Sequence, residues 1–132
     1  MYHFNNQLLS SGVIKIFRGS HNFGDGEHLR DFIEVNDAID LTTWLSNRKP
    51  SDSGIYNCGT GVARSFNEVA QLVVNWHKKG KIEYIDFPCT LMPFYQPHTC
   101  ADIRRIRTLG YTNSFMTLEE GVNRYMNWLN VN

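Results

Sequence analysis

Two arginines bracket the stretch of this sequence best suited by residue type to hold an anion. Arg18 and Arg30 stand at either end of a polar loop that carries Gly19, Ser20, Gly24 and Gly26 between them. A guanidinium fork matches phosphate oxygens two at a time, and small residues let backbone N–H groups come close to a ligand. A polar loop of this length between short strands carries function more often than it serves as a bare connector. Taken alone, it is also compatible with a solvated surface whose arginines point at water.

Other chemistry-bearing combinations are weaker. The histidines His3, His21, His28, His77 and His98 are scattered, and His98-x-Cys100-x-Asp102 lacks a metal-ligand spacing. The three cysteines, Cys58, Cys89 and Cys100, form no C-x-x-C pair. They suggest neither a disulfide framework nor a zinc site, and fit a reducing, cytoplasmic setting. Gly59-Thr60-Gly61 lacks the third glycine of a dinucleotide fingerprint and reads as a turn. No nucleophile elbow stands out, and the dispersed acidic residues offer no carboxylate pair. The residues therefore assign no catalytic group and no metal site.

The elements that must position the loop follow from periodicity. Met1 to Leu9 looks helical but starts without a cap or lead-in turn, which fits a chain that is part of something larger. Val13 to Phe17 is a short apolar strand, and Asp31 to Val35 is a second strand candidate. Asn36 or Asp37 can cap a helix from Ala38 to Asn47 with Ala38, Leu41, Trp44 and Leu45 on its buried face. Ile55 to Cys58 reads as a strand. Ser65 and Glu68 form an S-x-x-E capping box, and Val69, Leu72, Val73 and Trp76 give the helix that follows one apolar stripe. Lys78, Lys79 and Gly80 are suited to close that helix. Ile82 to Phe87 is the next strand. A proline-bearing loop with the aromatic pair Phe94-Tyr95 runs from Pro88 to Pro97. Thr99 with Asp102 can cap a short helix to Leu109. Thr117 and Glu120 form another capping box before a last helix with Val122, Tyr125, Met126 and Leu129 on one face. Alternating strands and helices predict an α/β fold.

Composition sets the limits. The 132 residues suffice for one domain with its own core. Thirteen basic and thirteen acidic residues cancel. No global field calls for nucleic acid or a membrane surface, so an anion site must be local. No apolar run approaches the roughly 20 residues of a membrane span.

An ordered series of short motifs then carries a resemblance. Arg30-Asp31-Phe32-Ile33-x-Val35-x-Asp37, Tyr56-Asn57-x-Gly59-Thr60-Gly61, Ser65-x-x-Glu68, Ala101-Asp102, Leu109-Gly110-Tyr111 and Leu118-Glu119-Glu120-Gly121 occur in one order. The series resembles the C-terminal half of extended short-chain dehydrogenase/reductase enzymes acting on nucleotide sugars. Phe17-Arg18-Gly19-Ser20, His77 to Ile85, and Phe87-Pro88 with Tyr95-Gln96 are similar to its ADP-heptose 6-epimerase branch. The resemblance covers essentially all 132 residues as a single substrate-binding portion, 1–132, with the Rossmann domain missing. It implies an ADP-sugar substrate and a contact surface for the missing N-terminal domain. It also implies NADP for the full-length enzyme, bound by that domain, with none expected on this chain alone. A homo-oligomer or a self-associating piece follows, with an open strand edge at Ile55 to Cys58 and an open Trp44. By the family's motif, His3, Phe17, Arg18, Gly19, Ser20, Arg30 and Tyr95 contact substrate, and no residue of this chain is catalytic. The alternatives are a portion of another nucleotide-sugar epimerase or dehydratase, and a free-standing binding module without catalysis.

Overall fold

The computed structural model describes residues Met1–Val131. Helix α1 (Tyr2–Ser11) ends because Gly12 takes a left-handed conformation, φ 72°, and returns its N–H to the Leu8 carbonyl. The chain can then turn directly into strand β1 (Val13–Phe17). Its partner is the distant β4 (Lys81–Ile85), parallel and in register from Val13 opposite Lys81 to Phe17 opposite Ile85. A parallel pair needs a long crossover. Here the crossover holds β2 (Leu29–Arg30), α2 (Val35–Ser46), β3 (Arg64–Ser65) and α3 (Phe66–His77). Helices α4 (Arg104–Thr108) and α5 (Leu118–Val131) close the chain. The result is the α/β organisation predicted from the alternating patterns.

Two apolar clusters result. The larger one packs Leu8 of α1, Ile14 and Ile16 of β1, Val69 and Val73 of α3, and Val122 and Met126 of α5. Helices α3 and α5 supply most of its buried residues, and all eight residues of their predicted stripes belong to it or pack against it. The smaller one gathers Leu41 of α2, Ile106 of α4 and Tyr111.

Both capping boxes form. The Ser65 hydroxyl accepts from Glu68 N–H while the Glu68 carboxylate accepts from Ser65 N–H, and Thr117 and Glu120 make the same exchange. Several other elements depart from expectation. Asp31 to Val35 is not a strand. The ladder stops after Leu29 and Arg30, which pair antiparallel with Ser65 and Arg64, because the Asp31 side chain turns to bond loops on the far side. Helix α2 starts at Val35, and Glu34 caps it by accepting Asn36 N–H at 2.7 Å. Asp37 instead accepts Met116 N–H at 2.7 Å, tying α2 to the segment before α5. Helix α4 begins later than Thr99, with Asp102 accepting Arg104 N–H at 3.0 Å. Helix α3 ends at Lys78 in the left-handed region, φ 54°, rather than at Gly80.

Ile55 to Cys58 is irregular, because no described strand lies beside it to take its backbone bonds. Ile55 is 86% exposed. Trp44, expected to be open, is half-buried instead. It packs edge-on against Tyr111 at 5.2 Å and under the Arg48 guanidinium at 4.7 Å.

Candidate functional site

Strands β1, β2 and β4 converge with α1 and the 88–97 loop on a cavity of about 320 Å3. Phe17, Arg30 and Tyr95 all line it, so residues far apart in sequence meet at one site. Arg30 reaches it because the short ladder with Arg64 holds its backbone. Tyr95 reaches it because the 88–97 loop is pinned at its end: Leu29 N–H donates to the Pro97 carbonyl at 2.8 Å, and Thr99 N–H to the Leu29 carbonyl at 3.1 Å.

The Arg30 guanidinium lies 5.0 Å from the centre of the Tyr95 ring and 5.8 Å from that of Phe66. One of its nitrogens, Nη1, donates to the Leu29 carbonyl at 2.7 Å. Among the described residues it has no carboxylate partner. Asp31 and Asp37, the two acidic residues of its own motif, are both committed elsewhere. The Asp31 carboxylate accepts from Thr60 N–H at 2.8 Å, the Thr60 hydroxyl at 2.6 Å, Gly61 N–H at 2.9 Å and Ala101 N–H at 3.0 Å. Burial pushes the Asp31 carboxyl up, but these hydrogen bonds outweigh burial and hold it below the usual carboxylate range. Gly59 fits beside it for lack of a side chain: a Cβ there would stand 2.5 Å from the Ala101 Cβ and 2.6 Å from an Asp31 oxygen.

The remaining expected site residues lie differently. Arg18 turns outward to Asp86 at 3.2 Å and Asp25 at 3.7 Å. Gly19 N–H is already spent on the Asp25 carboxylate at 2.8 Å. The Ser20 hydroxyl lies 2.8 Å from His28 Nε2 and 2.9 Å from His21 Nδ1. His3 is exposed and lines a separate apolar cavity of about 390 Å3 with Phe32, Val35, Leu118 and Tyr125. Helix α1 presents Phe4 and Gln7 to the Arg30 cavity instead.

Sequence reasoning missed His28. It is only 2% exposed, lines the cavity, and sits among the Phe23, Phe87 and Tyr95 rings at 5.8, 5.6 and 4.9 Å. Burial pushes its pKa down, its contact with the Ser20 carbonyl opposes that, and the charges of Arg30 and His21 add to the lowering. A histidine among the loop's polar residues carries no periodic signal that would have marked it as buried.

The Gly-Thr-Gly turn does not suit a dinucleotide phosphate. The Thr60 and Gly61 N–H groups in the Gly-Thr-Gly turn bond Asp31, so they are not available to cradle a phosphate. Among the described residues, no group of three or more His, Cys, Asp or Glu is placed to hold a metal ion. No described helix is long and apolar enough to cross a membrane.

No family model matches the chain. The chain is 45% identical over 126 residues to the ADP-L-glycero-D-manno-heptose-6-epimerase of Alkalilimnicola ehrlichii, covering 96% of the chain and 39% of that protein. It superposes on the crystal structure of the Helicobacter pylori ADP-L-glycero-D-manno-heptose-6-epimerase with a TM-score of 0.74 and 29% identity, over 98% of the chain and 37% of that structure. The UDP-glucuronic acid 4-epimerase of Bacillus cereus, solved with UDP-glucuronic acid and NAD, shares the fold at a TM-score of 0.76 and 22% identity, over 97% of the chain and 39% of that structure. The chain thus has the fold of a C-terminal portion of extended short-chain dehydrogenase/reductase epimerases and dehydratases. In sequence it is similar to the C-terminal portion of ADP-L-glycero-D-manno-heptose 6-epimerase, and it spans about two fifths of the length of that curated relative.

Proposed function

We propose that the cavity beneath Arg30 and Tyr95 binds a nucleoside-diphosphate sugar. On this reading Arg30 holds the diphosphate, and Tyr95 offers a flat face and a hydroxyl to the rest of the ligand. The observation that carries it is the Arg30 guanidinium, held over two aromatic rings at the cavity with no carboxylate partner among the described residues. An arginine kept in place without a counter-charge retains its donors for an incoming anion. Titration calorimetry with ADP tests this. Arg30→Ala weakens binding by about 1.5–3 kcal/mol, the scale of a charged hydrogen bond. Equal affinity in the two proteins removes Arg30 from the site.

The finer reading goes beyond the relatives' printed names, which give only the heptose epimerase. The chain is the substrate-binding portion of an NADP-dependent epimerase that converts ADP-D-glycero-D-manno-heptose to ADP-L-glycero-D-manno-heptose for lipopolysaccharide core synthesis in the cytoplasm. The identity to the Alkalilimnicola ehrlichii relative supports it over another nucleotide-sugar epimerase or dehydratase. Hydride transfer needs a bound nicotinamide and an acid/base beside the sugar carbon. The 132 residues alone therefore leave C6 of the heptose unchanged in the presence of NADP. NMR observation of C6 inversion by the purified chain contradicts this.

An N-terminal cofactor domain preceding this chain would cover Ile55, Val35 and Ile39, all exposed apolar side chains on α2 and the loop after it. Left open, such surface promotes self-association. Sedimentation of the chain as a strict monomer over a wide concentration range argues against that.

A further inference from the structure

The tautomers of two histidines can be assigned from the groups at the end of their hydrogen-bond chain. His21 Nε2 lies 3.1 Å from the Met92 carbonyl oxygen, which can only accept, so His21 Nε2 carries the proton. Neutral His21 then has a bare Nδ1. The Ser20 hydroxyl, 2.9 Å away, donates to it. With its proton spent there, Ser20 Oγ accepts from His28 Nε2 at 2.8 Å, and the Ser20 carbonyl at 3.3 Å takes a share of the same N–H. The proton of neutral His28 is therefore on Nε2, and its Nδ1 is a bare acceptor. Nδ1 has no hydrogen bond among the described residues. Among the described residues, no side-chain nitrogen or oxygen sealed from solvent lacks a partner. His28 Nδ1 is thus open, and His28 lines the cavity that Arg30 lines.

From this geometry we infer that His28 Nδ1 is a binding group that accepts a hydrogen bond from a hydroxyl of the ligand whose phosphate Arg30 holds. The inference rests on the nucleotide-sugar reading of the cavity and deepens it. Arg30 supplies donors only, which suit phosphate oxygens. A bare imidazole nitrogen repels those oxygens and suits an O–H, which a nucleotide sugar offers from its ribose or from its second sugar. The lowered basicity of His28 keeps the acceptor unprotonated at neutral pH. The charged and titratable groups around the ring are Arg30 on β2, His21 on the same loop and the Tyr95 phenol on the 88–97 loop. Ser20 becomes a positioning residue: its hydroxyl fixes the tautomer and is not free for ligand.

Calorimetry with three probes separates the contributions: inorganic pyrophosphate, with no sugar hydroxyl, ADP, with the ribose alone, and ADP-mannose, with both sugars. His28→Gln keeps a donor near the Nε2 position and loses the group at Nδ1. His28→Asn places its amide oxygen near Nδ1. The inference expects His28→Gln to bind ADP-mannose about tenfold more weakly, the worth of one hydrogen bond. Pyrophosphate binding stays unchanged, and His28→Asn stays within about threefold of the parent. An equal loss with ADP assigns the hydroxyl to the ribose; a loss confined to ADP-mannose assigns it to the second sugar. Unchanged affinity of His28→Gln for both nucleotides, with Arg30→Ala still weakened, overturns the role of His28 and leaves the cavity reading standing. No binding of any probe by the parent chain overturns both. A second readout does not depend on variants that fold. In 15N-histidine spectra of the parent at neutral pH, the His28 Nδ1 signal is that of an unprotonated nitrogen and shifts when ADP-mannose is added. A protonated Nδ1 in the free chain, or an Nδ1 signal unmoved by bound ADP-mannose, overturns the inference.

Discussion

Arg30 and Asp31 are neighbours in the chain and face opposite regions of the molecule. On one side of β2, Arg30 stands over Tyr95 at the cavity, with one hydrogen bond to its neighbour's carbonyl and no ion partner among the described residues. On the other side, Asp31 accepts four hydrogen bonds and ties three stretches of chain together: its own, the Thr60-Gly61 turn and the segment at Ala101. The two residues belong to the same sequence motif, yet their bonding separates their roles. A charged group satisfied within the fold is holding the fold. One left with donors to spare at a cavity is available to a ligand.

The largest effect expected from this contrast is on stability. Asp31→Ala leaves three backbone N–H groups without their acceptor, and urea unfolding is expected to show a loss of about 2–4 kcal/mol. Asp31 also fixes a pH dependence. Its folded pKa is depressed, so its contribution is complete above the unfolded value of about 3.9 and is lost as pH falls through the lower folded value. In Asp31→Asn the acid limb of the stability curve is correspondingly flatter. An unchanged limb contradicts the hydrogen-bond account.

Arg30→Ala is expected to do the reverse. Nucleotide binding weakens by about 1.5–3 kcal/mol, while the urea midpoint moves little because no ion pair is broken. A large loss of stability would make Arg30 structural and erase the contrast. The smallest effect concerns Ser65, which pairs with Leu29 and caps α3. Ser65→Ala costs about 1 kcal/mol of stability, and the shift in nucleotide affinity is expected to be within error.

Legibility in the sequence followed the range of the forces involved. The Ser65/Glu68 and Thr117/Glu120 capping boxes, and the apolar stripes of α3 and α5, depend on residues three or four apart and appear as predicted. Ile55 to Cys58 has strand-like composition, but a strand needs a neighbour, and none is present among the described residues. Glu34 displaced Asn36 and Asp37 as the α2 cap because Asp37 is drawn to Met116, 79 residues away. At the site, Phe17, Arg30 and Tyr95 line one cavity. His3 does not join them and lines the other cavity instead. Ser20 and His28 depend on a network that reaches Met92, and local sequence says nothing of it.

The central claim is that the Arg30 cavity, and not the larger apolar cavity beside His3, receives the nucleotide sugar. Backbone amide shift mapping during titration with ADP-mannose tests it most directly. The predicted result is a set of shifts confined to the amides of residues 15–30, Phe66 and Tyr95. Shifts centred instead on Tyr2, His3, Val35 and the first turns of α5, with Arg30 and Tyr95 unmoved, would contradict it.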